Sequence, residues 1–148
     1  HLLRAHGCDL VLIDTPPARS AEGPVAIEAA DLVLMPCTPT VEALEQLPTT
    51  ARVAKACGKP AAVVLNLVTP NSQAEVAMGR EACAKLHLRM APTPIVRRKI
   101  HVEATPLGKT AQELAIISHG ASEILALWDW LATELGFDAS PALELRRA

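Results

Sequence analysis

The sequence predicts a three-layer α/β/α domain built on a mostly parallel sheet, and three observations carry that expectation. Short runs of leucine and β-branched residues alternate with alanine-rich stretches, the pattern of successive βα units. The runs are continuously apolar rather than alternating, as strands buried on both faces must be. The 148 residues, half of them hydrophobic and with no internal repeat or Gly/Ser-rich linker, suffice for a single domain over 1–148 and not for two.

Taken in order, the first strand is expected at Asp9-Leu-Val-Leu-Ile-Asp14, an apolar run bounded by acids. A short helix follows over Pro24–Ala30, with Pro in its first turn. Asp31-Leu-Val-Leu-Met-Pro36 repeats the strand pattern, and Pro36 should end it. Val41–Cys57 reads as a longer helix, kinked at Pro48 and stopped by Gly58. Ala61–Asn66 is the third strand, Asn71 or Ser72 caps a helix running to about His87, and a weaker fourth strand lies between Met90 and Val96, interrupted by Pro92 and Pro94. The clearest amphipathic helix spans Ser118–Leu135, with Ile124, Leu127, Trp128, Leu131 and Leu135 on its apolar face and Gly136 closing it. Residues 137–148 read as a flexible tail.

Composition narrows the function classes. Aromatic residues are 2 % of the chain, with no Tyr, which disfavours modules that stack single-stranded bases on aromatic platforms. A formal net charge of −2 supplies no global field for DNA or an acidic membrane, so any such contact must come from a local patch. Cys8, Cys37, Cys57 and Cys83 form no CxxC pair and follow no secretory signal, which reads as reduced thiols in a cytoplasmic protein. No stretch approaches the ~18–20 apolar residues that span a bilayer. Residue 1 is His and a strand signal follows within eight or so residues, which reads as a fragment of a longer product.

Ligands of open parallel sheets bind beyond the carboxyl ends of the strands. Those positions here are Asp14-Thr-Pro-Pro17, Pro36-Cys-Thr-Pro39, Asn66-Leu-Val-Thr69 and Pro94–Lys99. An apolar strand ending in Asp has the form of a Walker B element, whose carboxylate holds Mg²⁺ directly or through water; alone, it reads rather as an Asp that only accepts hydrogen bonds from its turn. The continuation Thr15-Pro16-Pro17 stiffens that turn, which suits a loop that reports a terminal phosphate.

Leu10-Val-Leu-Ile-Asp-Thr-Pro-Pro17, then Ala29-Ala-Asp-Leu-Val-Leu-Met-Pro36 with its Thr-Pro-Thr loop, then Val64-Leu-Asn66, Thr93-Pro-Ile-Val-Arg97, Gly108-Lys-Thr-Ala-Gln-Glu113 and a closing helix with Ala121-Ser-Glu-Ile and Leu127-Trp-Asp-Trp-Leu131 come in one order. In that order the chain resembles the ParA/MinD family of deviant-Walker P-loop ATPases over nearly its whole length, and most of all the short ParA-like partition proteins of plasmids. The resemblance implies a P-loop NTPase-like fold, N-terminally truncated to the carboxyl-terminal two thirds. It implies ATP and Mg²⁺ as cofactors, with Asp14 facing the Mg²⁺ shell, Thr15, Pro16 and Pro17 forming a switch, Asn66 bonding the adenine edge, and Pro94 and Ile95 lying along the base. It also implies an ATP-dependent homodimer that binds DNA non-specifically, a ParB-like stimulating partner, and no membrane.

The 148 residues depart from that family in lacking the phosphate-binding loop with its signature lysine and the first-switch acid, which would occupy roughly 60 further residues. No catalytic residue is therefore assigned, and neither tight ATP binding nor hydrolysis is expected of this chain alone. Gly108-Lys109-Thr110 imitates the end of such a loop, but Glu103 stands where the first glycine is needed. Arg97-Arg98-Lys99, flanked by Arg89 and His101, is the densest basic run; it reads either as a solvated face or as a phosphate-backbone contact, and Arg97 has a further reading facing the nucleotide. Three rivals remain: a non-catalytic remnant or interaction module, a MinD-like membrane-cycling ATPase, and a ParA-like protein of conjugative transfer. The MinD-like reading needs a terminal amphipathic helix, for which Pro141–Ala148 is too short and too poor in bulky apolar residues.

Overall fold

The apolar runs of the middle of the chain pair with one another, and the computed structural model describes residues 8–15 and 22–136 of them and their surroundings. Strand β1 (Val33–Cys37) lies parallel to β2 (Ala61–Leu65), with Val33 opposite Ala61 and Cys37 opposite Leu65. A two-residue β3 (Arg89–Met90) adds in parallel to the other side of β2, Ala62 opposite Arg89 and Val63 opposite Met90. The result is a small open parallel sheet in the order β1-β2-β3 within a mixed α/β fold.

Successive residues of a strand face opposite sides, so β2 feeds two cores. Val63 joins Met35, Cys37, Leu44, Leu47 and Cys83 on one side, while Val64 joins Ala91 and Ile95 on the other. Helices supply both clusters. The first takes Leu44 from α2 (Val41–Leu44), Leu47 from α3 (Leu47–Ala56) and Cys83 from α4 (Gln73–Lys85), with α1 (Glu22–Ala29) preceding β1. After the short α5 (Lys99–Ala104), a 3₁₀ turn at Thr105–Leu107 and α6 (Ala111–Leu114), the long α7 (His119–Leu135) packs Ile124, Leu127 and Trp130 against the second cluster. Gly79 lets α4 approach β2: a Cβ there would lie 2.5 Å from Leu65 Cδ1. No helix among the described residues is long and apolar enough to cross a membrane.

Caps follow the sequence closely. Ser72 Oγ accepts from Glu75 N–H at 3.3 Å to open α4, Ser118 Oγ accepts from Ala121 N–H at 3.1 Å to open α7, and Gly136 closes α7 in the left-handed region with φ 72°.

Four expectations are corrected. The run Asp9–Asp14 forms no strand; Leu10–Ile13 are exposed and find no neighbour in the sheet, and an extended segment becomes a strand only by pairing. Pro36 does not end its strand, which continues to Cys37, because Cys37 directs its carbonyl to Asn66 of the β2 side and the missing Pro36 N–H therefore falls on the edge that faces away from β2. The helix expected over Val41–Cys57 is two helices that break at Glu45–Gln46, because Pro48 has no N–H to give Leu44 and is instead accommodated in the first turn of α3. The fourth strand shrinks to Arg89–Met90 plus one isolated bridge between Val68 and Val96, since Pro92 and Pro94 cannot donate to a ladder. The tail expected at 137–148 lies outside the described residues.

Candidate functional site

The carboxyl ends of β1 and β2 and the segment after β3 meet at one edge of the sheet, and hydrogen bonds fix their order. Asn66, the residue that follows β2, donates its N–H to Cys37 O of β1 at 2.8 Å. On its other side Ile95 donates to Leu65 O at 2.8 Å, Val68 donates to Ile95 O at 3.1 Å, and Arg97 donates to Val68 O at 2.8 Å. Asn66 thus stands between the end of β1 and the Pro94–Arg97 segment, half-buried.

Its side chain is partly committed. Asn66 Oδ1 accepts from Leu67 N–H at 2.9 Å, leaving the amide's two N–H donors without a partner among the described residues. Leu67 is exposed and left-handed at φ 57°, a conformation costing a non-glycine residue on the order of 1–2 kcal/mol and held here by its neighbours. The loop then closes on Glu75 of α4, whose Oε2 accepts from Thr69 N–H at 2.7 Å. Hydrogen bonding from Thr69, side chain first and backbone second, with a smaller attraction from the Arg97 guanidinium, holds the Glu75 carboxyl below its ordinary range.

The other sequence candidates fall in different surroundings. Pro94 is half-buried beside Asn66's neighbours, whereas the Ile95 side chain is buried in the core with Val64 and Ala91, and its backbone N–H and C=O are both engaged. Ile95 therefore supports the edge from beneath. Asp14 and Thr15 are exposed and belong to no element, and Pro16 and Pro17 lie outside the described residues.

The basic run is divided. Arg98 donates through Nε at 2.8 Å and Nη2 at 2.6 Å to Glu123 Oε1 of α7, and Glu123 Oε2 also accepts from Val96 N–H at 3.1 Å. Arg89 is paired with Glu134, also of α7. His101 is half-buried against Gly120, its Nε2 within 3.1 Å of where a Cβ would stand. Arg97 and Lys99 remain exposed. Glu123 is the residue that sequence reading missed as a contributor here; a lone Glu on an amphipathic helix carries no signal of the strand-end arginine it will meet.

Gly108-Lys-Thr110 is a helix start. Gly108 is left-handed at φ 62° after the 3₁₀ turn, and Thr110 and Glu113 form a reciprocal capping box on α6, which occupies the Thr110 hydroxyl. Among the described residues no group of three or more His, Cys, Asp and Glu is placed to hold a metal ion.

The geometry is that of a parallel α/β protein with a small polar site at the carboxyl edge of its sheet. A scan against protein-family models and a search of the curated proteins each returned no match.

Proposed function

We propose that this chain is the base-binding part of a ParA-like partition ATPase with a three-layer, P-loop NTPase-like fold. In intact form such a protein binds ATP and Mg²⁺, dimerises, binds DNA non-specifically and segregates plasmid or chromosomal DNA under a ParB-like partner. The observation that carries the reading is Asn66, an amide whose two N–H donors have no partner among the described residues, at the carboxyl end of a central parallel strand, in a sequence whose motifs keep the family's order. A ring nitrogen of adenine accepts from the Asn66 amino group, and the second lone pair of Oδ1 accepts from the exocyclic amine, a donor–acceptor pair that guanine presents in reverse. The residues present do not supply the phosphate end, and no hydrolytic step is derived for them.

The test is NMR titration of the 148-residue chain with AMP and, separately, GMP, read at the Asn66 side-chain amide. AMP is expected to shift those resonances and GMP to leave them, with the effect abolished in Asn66→Ala at unchanged melting temperature; equal response to both nucleotides, or none at millimolar concentration, overturns the base-site reading. Sequencing the coding DNA upstream of His1 tests the ATPase assignment. An in-frame strand and Gly-rich loop ending Gly-Lys-Ser/Thr supports it, and a start codon without that loop leaves a non-catalytic interaction module instead.

A further inference from the structure

The backbone pairing that continues past the end of β2 contains one residue too many. In a regular parallel pair, a residue that donates to position i of its neighbour accepts from position i+2. Ile95 donates to Leu65 O at 2.8 Å but accepts from Val68 N–H at 3.1 Å, three positions on, and pairing resumes with Val68 opposite Val96. Asn66 and Leu67 therefore stand together opposite Ile95 as a β-bulge, a feature that re-aims side chains and recurs beside active sites.

The bulge has two consequences. It deprives the Leu67 N–H of its ladder acceptor, and Asn66 Oδ1 takes that place at 2.9 Å. It also turns the Leu67 side chain over. Side chains alternate along a strand, so without the extra residue position 67 would share the face of Leu65, which is buried against Gly79 of α4; Leu67 is instead 45 % exposed, and Val68 beyond it is buried again. Glu75 Oε2, accepting from Thr69 N–H at 2.7 Å, ties the residues after the bulge to α4.

The choice of leucine for this position is not explained by the turn. Leu67, Asn71 and His87 have positive φ, and Asn and His are residue types that tolerate it, whereas leucine is not. Glycine would serve the backbone better at φ 57°. A strained residue kept at the carboxyl edge of a sheet points to a use for its side chain. Next to the Asn66 amide, Leu67 completes the usual make-up of a small-molecule site, an apolar surface with a few polar groups that fix orientation. We infer, on the base-site reading above, that Leu67 is an apolar wall of that site: Asn66 meets the edge of the adenine ring, and the Leu67 side chain covers part of its face.

The experiment is NMR titration of the 148-residue chain with AMP, read at the Asn66 side-chain amide, in the unsubstituted chain, Leu67→Gly and Leu67→Met, with a thermal melt of each. Leu67→Gly is expected to weaken AMP binding by roughly 5- to 10-fold, the loss of about half a buried leucine side chain. Its melting temperature is expected to hold, because glycine adopts this φ without strain. Leu67→Met, apolar and of similar volume, is expected to recover most of the lost affinity. A leucine with a merely structural role would lose stability in Leu67→Gly and leave affinity alone. Binding by Leu67→Gly within about two-fold of the unsubstituted chain, while AMP still shifts the Asn66 amide, overturns the wall and leaves the base site standing. A fall in the melting temperature of Leu67→Gly by more than about 5 °C, or Leu67→Met as weak as Leu67→Gly, also overturns it. No response of the unsubstituted chain to AMP overturns the base site and the wall together.

Discussion

Removing the Glu123 carboxylate should unfasten α7 from the edge segment that carries the candidate site. Glu123 accepts three hydrogen bonds, from Val96 N–H and from two nitrogens of Arg98, and the two side chains are only 12 and 30 % exposed. An exposed ion pair contributes about 0–1 kcal/mol, and breaking a fully buried one costs about 3–5 kcal/mol. With one partner nearly buried and a backbone donor left unsatisfied, Glu123→Ala is expected to cost about 2–3 kcal/mol, a fall in Tm of roughly 4–12 °C for a chain of this size. Glu123→Gln keeps an acceptor for Val96 and should lose about half as much. Urea unfolding of Glu123→Ala, Arg98→Ala and the double variant should show a coupling of about 1 kcal/mol or more. A loss below about 0.5 kcal/mol for Glu123→Ala, or strict additivity in the cycle, would refute the view that this pair fixes the segment.

The remaining predictions follow from the same contacts. In the DNA-bound state of the proposed function, Arg97→Ala and Lys99→Ala should each lower the salt slope of DNA binding by about 1, and Arg98→Ala should leave it unchanged because Arg98 is committed to Glu123; equal effects at all three positions in filter binding would contradict this. Gly79→Val should destabilise by about 1–3 kcal/mol in urea melts, since its Cβ would meet Leu65 Cδ1 at 2.5 Å inside a closed core. Burial raises the thiols of Cys37 and Cys83, so Ellman's reagent at pH 8 should label exposed Cys8 first and these two only on unfolding, and their stabilising contribution should hold below the ordinary 9.0 and fade as pH rises through the higher folded values. Glu75, held below its ordinary 4.5 chiefly by hydrogen bonding from Thr69, favours folding above that value and loses the contribution as pH falls through its depressed folded value; ¹³C titration of its carboxyl should show the downward shift, and Thr69→Ala should diminish it.

Particular residues show why some elements were legible in the sequence and others were not. Ser72, Ser118, Gly58 and Gly136 marked helix ends correctly, because a cap is satisfied by atoms three or four residues away and needs no distant partner. Val33–Met35 and Ala61–Leu65 read as buried strands and pair as such. Leu10–Ile13 has the same composition and forms no strand, since a strand's hydrogen bonds belong to its neighbour and pattern alone cannot say whether the neighbour is there. The amphipathic face of α7 was visible, but Trp130 rather than Trp128 enters the core cluster, a rotation that the Glu123 and Glu134 ion pairs share. Of the candidate site, Asn66 stands where the sequence put it, directly after β2. The engagement of Ile95 and Arg98 elsewhere was not, because both are consumed by residues remote in sequence.

Local chemistry in the sequence determined where α4 and α7 start and stop, which runs are apolar enough to be strands, and that the sheet they form is parallel. The tertiary structure alone decided which runs find a neighbour, which face of α7 meets the sheet, and which cations of Arg97–Lys99 stay in water. The division has one physical cause: a cap or a periodic apolar face is fixed by groups a turn apart, whereas strand pairing, burial and ion pairing depend on groups brought close by the fold, as Glu123 is brought to Arg98.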